Sequence, residues 1–531
     1  MNIDFFKLLV NKNSTLFFFF VIAVSGFSQT KKNQTKKIIP KIVVTPTVDA
    51  TPKLIEIKHA AKISFDQAKS EAKFLTGDVI CVHDGAILTC DTALIFDGDN
   101  KMQASGHIKI TKGDSITVTG EKLFYDGKTK LAVLQKNVKC VEKDMTLTTD
   151  SLNYDVANGI ANFFDGGTIV NKKNTLTSKN CHYYSATKEL AFHYDVELVN
   201  PEYKMKSDTL RYNTVNKTAY FLGPSIILSK EDYIYCENGW YDTDKEKAQF
   251  SLNALLMTKE QKLTGESLFY DRIARVGKAY KNVRLIDTAQ KSILYGDYIE
   301  YKEKKSEALV TKHALYARII ENDTLFIAAD TLYHRDIDST NNFLNAYHHV
   351  KLFKKDMQAQ CDSASLNTKD SLMQLFKTPV LWSRQSQATA KLIKVYVGKS
   401  TIKGFKLEGN AFLIQQVDSL QNTDKYNQLS GRNIEAFITQ DTIRKAIVTG
   451  NASALYFPSN KNKVAGLNKT NCTEILLWFK NQDIERVTLK PKTEGDVTPI
   501  KDVNLEEAKL KGFNWIYDKR PKSRKELHLK I

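Results

Sequence analysis

Apolar and polar residues alternate with period two along most of this chain, and the alternation recurs about every 29 residues. The most regular position is aromatic, and its successive occurrences lie 28 to 31 residues apart. These residues are Phe96, Tyr125, Tyr154, Tyr184, Tyr212, Tyr241, Tyr270 and Tyr301. Period two is the period of a strand, and helical periodicity is nearly absent between residues 75 and 455. The pattern therefore predicts about 11 to 12 tandem units of short strands in an all-β fold.

An acidic residue stands four positions before most of these aromatic residues and marks a predicted bend. Around Asp208, for example, Met205 has the opposite strand parity to Leu210 and Tyr212. All three can point inward only if the strand bends or bulges at the acid. Bonds to nearby backbone N–H groups explain such acids more simply than a catalytic or calcium site, because no unit adds further oxygen ligands. The predicted structural corner acids are Glu121, Asp150, Asp208, Glu237, Glu266, Asp297, Asp330 and Asp362.

The inward-facing apolar residues have two possible roles, which the residue pattern alone leaves open. They could fill a closed core, as in any stacked repeat, or they could line an open apolar groove between two sheets. The residues in this predicted lining are Leu94, Phe96, Val118, Leu123, Tyr125, Leu147, Leu152, Tyr154, Met205, Leu210, Tyr212, Ile234, Tyr241, Leu263, Leu268, Tyr270, Leu294, Ile299 and Tyr301.

Composition excludes several classes of protein. The 531 residues are 42% hydrophobic, enough to bury a large core and to exclude a wholly disordered chain. Lys and Arg number 77 against 60 Asp and Glu, a net charge of +17. The basic residues are interspersed with acidic ones rather than clustered, which argues against a nucleic-acid partner.

The sequence contains no catalytic, nucleotide-binding or metal-binding motif. The ten His are scattered, and the adjacent pair His348–His349 has no Cys or acid at metal-ligand spacing. The seven Cys are odd in number and dispersed, which is not a disulfide framework, although Cys81 and Cys90 could face each other across a hairpin. We therefore expect no enzyme activity, no cofactor and no metal site.

The N-terminus predicts export. Residues 1–28 have the features of a signal peptide: Lys7 and Lys12, an apolar run over 16–24, and small residues before a cut at Gln29. Residues 29–54 are a linker rich in Lys, Pro and Thr. After residue 28 no apolar run approaches the roughly 18 residues of a membrane-spanning helix. The mature chain is therefore expected to be exported.

The repeat array is expected to cover 55–455, and the texture changes in residues 456–531. There 474–479 and 484–489 predict a hairpin, and Asn504 with Glu507 predicts a capped helix that ends at Lys511. Residues 519–525 form a basic tail that is expected to be flexible. This segment predicts a small α+β cap on the array.

The repeated unit of Gly-x-Val, a bend acid and Leu-x-Tyr, tandem at about 29 residues behind a signal peptide, resembles the OstA/LptA family of lipopolysaccharide-transport proteins. The resemblance covers roughly residues 55–455. The ending Leu510-x-Gly512-Phe513-x-Trp515 followed by Arg520-Pro521 resembles the long OstA-like proteins of Bacteroidota-type Gram-negative bacteria.

This resemblance implies an elongated, twisted, open β-jellyroll or solenoid whose interior groove holds the acyl chains of lipopolysaccharide. It also implies a periplasmic location, edge-strand pairing with an LptC-like protein of the inner membrane and an LptD-like protein of the outer membrane, and the possibility of self-association. Two alternatives remain from the residues: a parallel β-helix enzyme acting on polysaccharide, and a structural β-repeat protein without a lipid groove. The enzyme needs acids that matter individually, and the structural protein needs a sealed interior.

Overall fold

The computed structural model describes most of the chain from residue 54 to residue 528. The described ranges are 54–65, 71–83, 85–112, 116–142, 145–155, 158–171, 174–184, 186–201, 203–213, 215–230, 233–242, 244–259, 261–271, 273–288, 291–320, 323–337, 342–367, 369–397, 402–417, 424–439, 442–460, 463–480, 483–491 and 493–528. The predicted signal peptide and nearly all of the predicted linker lie outside the described residues. No described helix is long and apolar enough to cross a membrane.

The chain divides into two compact units, an N-terminal unit that ends at Ala254 and a C-terminal unit that begins at Leu255. The strands that begin in the N-terminal unit are β1 Glu56–His59, β2 Lys62–Phe65, β3 Lys73–His83, β4 Ala86–Phe96, β5 Lys101–Lys112, β6 Ile116–Asp126, β7 Leu131–Glu142, β8 Met145–Asp155, β9 Ile160–Phe163, β10 Gly167–Asn171, β11 Asn174–Ser178, β12 Asn180–Tyr184, β13 Glu189–Val199, β14 Tyr203–Asn213, β15 Thr218–Ser229, β16 Tyr233–Asp242 and β17 Lys247–Met257.

The remaining strands belong to the C-terminal unit. They are β18 Gln261–Asp271, β19 Val276–Asp287, β20 Ser292–Lys302, β21 Glu307–Ile320, β22 Asp323–Asp336, β23 Asn342–Lys354, β24 Met357–Asn367, β25 Leu372–Phe376, β26 Val380–Ser383, β27 Ser386–Thr389, β28 Leu392–Val397, β29 Ile402–Gln416, β30 Tyr426–Thr439, β31 Thr442–Tyr456, β32 Ser459–Asn460, β33 Lys463–Val464, β34 Gly466–Lys480, β35 Asp483–Leu489 and β36 Glu494–Pro499. The described residues also contain 3-10 turns at Glu303–Lys305, Ile500–Asp502, Tyr517–Lys519 and Arg524–His528.

Within each unit, long strands pair antiparallel with their neighbours in sequence. In the N-terminal unit this order runs from β3 to β8 and again from β13 to β16. Between these runs, β9 and β12 form one short path to β13, while β10 and β11 form the other. The C-terminal unit shows the same split at β25 to β28, between β24 and β29. The ladder continues through β31 to β34, and β34 with β35 forms the predicted hairpin. The predicted all-β fold is confirmed.

Nearly every long strand bends once, at a corner near its middle. On alternate strands two successive residues adopt positive φ there, such as Gly77 and Asp78 on β3. The pairing shifts at this point, because these two residues lie opposite the single residue Asp91 of β4. Asn and Gly tolerate left-handed backbone best, and one or the other stands at most of these corners. The predicted bend is therefore present, and the positive-φ pair on the neighbouring strand produces it.

The corners of the N-terminal unit divide its strands into two arms around one core. Arm A contains the strand halves that align with Ala86–Cys90, and arm B contains those that align with Thr92–Phe96. On β4, the inward side chains of Leu88 and Cys90 in arm A and of Ala93 and Ile95 in arm B are all buried. Two outward residues separate Cys90 from Ala93, so the strand changes parity at the corner as expected.

The C-terminal segment contradicts two predictions. Residues 505–507 form a turn, at whose start the Asn504 side chain accepts a hydrogen bond from the Glu506 N–H at 3.1 Å, and no α-helix follows. The predicted helix is wrong because this segment runs extended across β30, where its backbone groups bond to Gln428. The basic tail is also not free. We name Val503–His528 the C-terminal strap.

Two buried glutamines hold the strap through its backbone. Gln428 on β30 donates to the Ala508 carbonyl at 3.1 Å and accepts from the Leu510 N–H at 2.8 Å. Gln387 on β27 makes the same two bonds six residues later, to the Asn514 carbonyl and the Ile516 N–H. Each side-chain amide thus makes the pair of hydrogen bonds that the backbone of a neighbouring strand would make. At the far end Leu527 is buried against side chains of β21 and β22.

Candidate functional site

The interior of the N-terminal unit opens with distance from the corners. Beside the corners, the inward side chains of Ile108, Leu123, Leu134, Val138 and Leu152 are at most 5% exposed. Further along both arms, several inward side chains are only half-buried against the same core. They are Ile57, Ile110, Val118, Tyr125, Leu147 and Tyr154, and we call this set the half-open interior. The apolar interior is therefore sealed beside the corners and partly exposed at several positions further along the arms.

Strand register places the half-open interior on both arms. In arm A, Ile110, Val118, Cys140 and Leu147 align across β5, β6, β7 and β8, and all four are half-buried. Because register partners point to the same face, these side chains form one continuous row.

Arm B supplies a second row. Met102, Tyr125, Ala132 and Tyr154 align across the same four strands. Met102 and Ala132 are buried, while the two tyrosines are half-buried. Burial raises the pKa of Tyr154, with a smaller contribution from the Asp155 charge, so its hydroxyl stays neutral. The two rows form apolar walls with tyrosine hydroxyls on one of them.

One polar contact joins the two arms within this interior. The Tyr125 hydroxyl lies 2.7 Å from Nδ1 of His83, which ends β3 in arm A. The two rings meet edge to face, with centroids 5.4 Å apart. Apart from this contact and the Tyr154 hydroxyl, the side chains of the half-open interior are apolar, and such a surface suits a hydrocarbon ligand rather than a charged one.

The later part of the predicted lining is closed. In the N-terminal unit, Met205, Leu210 and Tyr212 have no exposed surface, and Ile234 and Tyr241 are at most 8% exposed. The predicted lining residues of the C-terminal unit are buried to a similar extent. They are Leu263, Leu268, Tyr270, Leu294, Ile299 and Tyr301. Before residue 155 the predicted set contains half-buried members beside the buried Leu123 and Leu152, whereas after residue 203 all of its members are buried.

A comparison with protein families gives a match in the part of the chain that contains the half-open interior. Residues 52–208 and 207–266 match the family model described as OstA-like protein. This part of the chain is OstA-like. The resemblance seen in the repeats is thereby confirmed for these residues, and we call residues 52–266 the OstA-like region.

Two further comparisons add less. No curated protein matches the chain. Among solved structures, the chain is similar to LptH of Pseudomonas aeruginosa, the LptA homologous periplasmic component of its lipopolysaccharide transport device. That similarity has 13% identity and a TM-score of 0.19, and it covers 20% of this chain and 81% of the other. A similarity of this size carries no argument about the chain.

In the first repeat of the OstA-like region, the inward residues differ from those expected. Leu94 and Phe96 are half-buried, whereas their neighbours Ala93 and Ile95 are buried. Phe96 lies five residues after its corner acid Asp91, whereas Tyr125 lies four after Glu121. Strand faces alternate, so this extra residue turns Leu94 and Phe96 to the outer face.

The corner acids bond to the next strand rather than to local backbone. The residue 16 positions later, in the positive-φ pair, is the usual partner. Asp91 contacts His107 at 2.8 Å, and Glu121 contacts Asn137. The same spacing relates Glu237 to Asn253, Glu266 to Asn282 and Asp297 to His313, at 2.9, 3.1 and 2.8 Å. These bonds join consecutive corners, a role that the acid column alone did not reveal.

The remaining predicted corner acids have less regular hydrogen-bond partners. Asp330 contacts His349 at 2.7 Å, and Asp362 accepts from the Lys377 ammonium at 3.0 Å. Bonds from Ser363 and Lys377 hold the pKa of the Asp362 carboxyl far below its usual range. Asp208 bonds to the neighbouring Thr209 hydroxyl, and Asp150 is exposed. Among the described residues, no three His, Cys, Asp or Glu side chains converge as a metal site.

Sequence reasoning missed part of the half-open interior. Ile57, His83, Ile110 and Cys140 were not predicted, because they lie on strands without a corner acid. Ile110 and Cys140 could have been found as register partners of Val118 on either side of β6.

The cysteines form no disulfide. All seven are free, including Cys81 and Cys90. Burial raises the pKa of Cys81 to about 11 and that of Cys90 to about 12, so these thiols are protonated and unreactive.

Proposed function

We propose that this chain is a non-enzymatic periplasmic conduit that binds the acyl chains of lipopolysaccharide and passes them towards the outer membrane. The half-open interior of the OstA-like region is the observation that carries the proposal. It offers a row of half-buried apolar side chains on arm A and two half-buried tyrosines on arm B.

The half-open interior has the chemistry that a hydrocarbon chain needs. Each methylene transferred from water to an apolar site contributes about 0.8 kcal/mol. An acyl chain lying between Val118 and Leu147 in arm A and Tyr125 and Tyr154 in arm B would cover surface that is now in water. Continuous, non-directional contact of this kind also lets a chain slide, since no strong polar bond fixes its position.

The closed interior after residue 203 limits where lipid binds first. Side chains such as Leu210 and Tyr212 leave no room for a ligand unless the strand arms part. We therefore place initial binding before residue 155, in the half-open interior, and expect any onward movement to require separation of the arms.

Unpaired strand edges supply the means of assembly. Among the described residues, β1 and β2 each pair only with β3, and β35 and β36 each pair only with β34. Such edges accept further strands by backbone hydrogen bonding. We propose that they pair with an LptC-like protein, with an LptD-like protein and with other copies of this chain.

Photo-crosslinking at single positions tests the proposed site. Tyr125 and Phe124 are adjacent on β6 and point to opposite faces, and Phe124 is 42% exposed. A photoreactive residue at position 125 or 154 should form adducts with lipopolysaccharide, and one at position 124 should not. Equal labelling at positions 124 and 125 would contradict a lipid site in the interior.

A second experiment separates the conduit from the two alternatives. Protein purified from a lipopolysaccharide-producing host should carry a lipid A-type glycolipid detectable by mass spectrometry. A structural repeat protein would carry none. A polysaccharide-acting enzyme would lose a hydrolytic activity when Asp150, Asp208 or Glu266 is replaced singly with the fold intact, whereas the conduit has no such activity to lose.

A further inference from the structure

The distal half of the C-terminal strap presents a dense set of basic side chains to solvent. Five Lys or Arg residues and one acid occur between residues 519 and 526. Lys519, Lys522, Arg524 and Lys525 are exposed. The one acid, Glu526, has its carboxylate engaged by the Lys522 backbone N–H at 2.8 Å. The local charge is therefore strongly positive, and we name these four residues the basic ridge.

The strap is anchored on both sides of the basic ridge, so the ridge is a fixed surface rather than a solvated tail. Pro521 and Leu527 are buried. The Arg524 guanidinium lies 4.8 Å from the ring centre of Tyr295 and 5.3 Å from that of Phe326. Lys351 on β23 donates to the Glu526 carbonyl at 3.4 Å. Folding has thus already met the backbone entropy cost of bringing these residues together on the strap.

Aromatic side chains adjoin the basic ridge. The rings of Trp515 and Tyr517 stack with centroids 5.0 Å apart and planes 3° from parallel, and both are half-buried. The Arg520 guanidinium covers the Tyr517 ring at 4.3 Å. Trp, Tyr and cationic side chains together favour the headgroup level of a membrane, where an apolar ring and a charge are both solvated well.

We propose that the basic ridge docks this chain on an anionic phospholipid bilayer. This inference is independent of the proposed lipid conduit, because the ridge belongs to the C-terminal unit and the half-open interior to the N-terminal unit. A planar anionic surface fits the ridge better than a single small anion does, because the exposed cations are spread over residues 519–525 of the strap.

Vesicle sedimentation of the full chain tests the proposal. The probe is phosphatidylcholine vesicles with about 30% phosphatidylglycerol, whose surface attracts each nearby Lys or Arg by about fivefold in affinity. The triple variant Lys519→Gln, Lys522→Gln, Lys525→Gln should therefore bind about 100-fold more weakly than the parent. Salt should weaken the parent's binding as well, because these cations are exposed to solvent.

A matched variant controls for the net charge of the whole chain. Lys259→Gln, Lys262→Gln and Lys403→Gln remove three exposed cations from elsewhere in the C-terminal unit. This variant should keep nearly all of the binding, and pure phosphatidylcholine vesicles should bind neither variant nor parent. The proposal is overturned if the two triple variants bind equally, or if the parent does not bind the anionic vesicles. Matching thermal unfolding of all three proteins shows that the fold is intact.

Discussion

Replacing Gln428 should release the proximal part of the C-terminal strap. The side chain is 2% exposed, and its amide makes two hydrogen bonds to the strap backbone. The change Gln428→Ala removes both partners at once, leaving the Ala508 carbonyl and the Leu510 N–H without them. These two residues are themselves 7% exposed, so water cannot easily replace the amide.

The structure sets the size of the effect. A buried backbone group that loses its partner costs about 1 to 3 kcal/mol, and two such groups are left here. If each group costs about 1.5 kcal/mol, the free energy needed to detach the strap from β30 should fall by about 3 kcal/mol. Since 1.4 kcal/mol corresponds to tenfold, the detached state should become about 100-fold more populated.

Hydrogen exchange followed by mass spectrometry measures this population directly. Peptides covering residues 504–516 should exchange about 100-fold faster in Gln428→Ala, while those from β20 to β23 stay protected. Gln415→Ala is the control, since Gln415 is an exposed glutamine on the neighbouring strand β29. The reasoning fails if strap exchange rises less than threefold, or if it rises as much in the control.

Three further changes probe burial elsewhere. Trp382→Ala, at a side chain with no exposed surface, should lower the free energy of unfolding by about 3 to 5 kcal/mol in chemical denaturation. Leu210→Ala should cost about 2 to 5 kcal/mol and Leu147→Ala clearly less, because Leu210 is fully buried and Leu147 only half-buried. Burial lowers the pKa of His334 to about 3, so below pH 6.5 this imidazole binds a proton in the unfolded chain but stays neutral in the folded chain. The free energy of unfolding should therefore fall by about 2 kcal/mol between pH 6.5 and 5. The change His334→Leu should reduce this loss, and the change His59→Gln at an exposed position should not.

The corners show how much of this fold is readable from sequence. The parity change between Met205 and Leu210 requires a bend, because side chains on one strand alternate strictly. That reasoning located the corner without any knowledge of pairing. It did not find the positive-φ pairs on the neighbouring strands, such as Lys136 and Asn137, because a Lys in left-handed backbone has no sequence signature.

The C-terminal strap was beyond the reach of the sequence for a different reason. Asn504 and Glu507 favour a helix locally, and that preference is real but small. Gln428 and Gln387 outweigh it, since each pairs with two backbone groups of an extended strap. The partners lie about 80 and 130 residues apart in the chain, so no local pattern connects them.

The size of the side chains in arm A accounts for the change from a half-open to a closed interior. The half-open row contains Val118 and Cys140, whose short side chains fill little of the space between the arms. Later in the same unit, Leu198, Met205 and Ile227 occupy an equivalent aligned row and are at most 8% exposed. Met is flexible and fills irregular gaps well. The strand pairing is shared, so side-chain length in one row accounts for how far that part of the interior is buried.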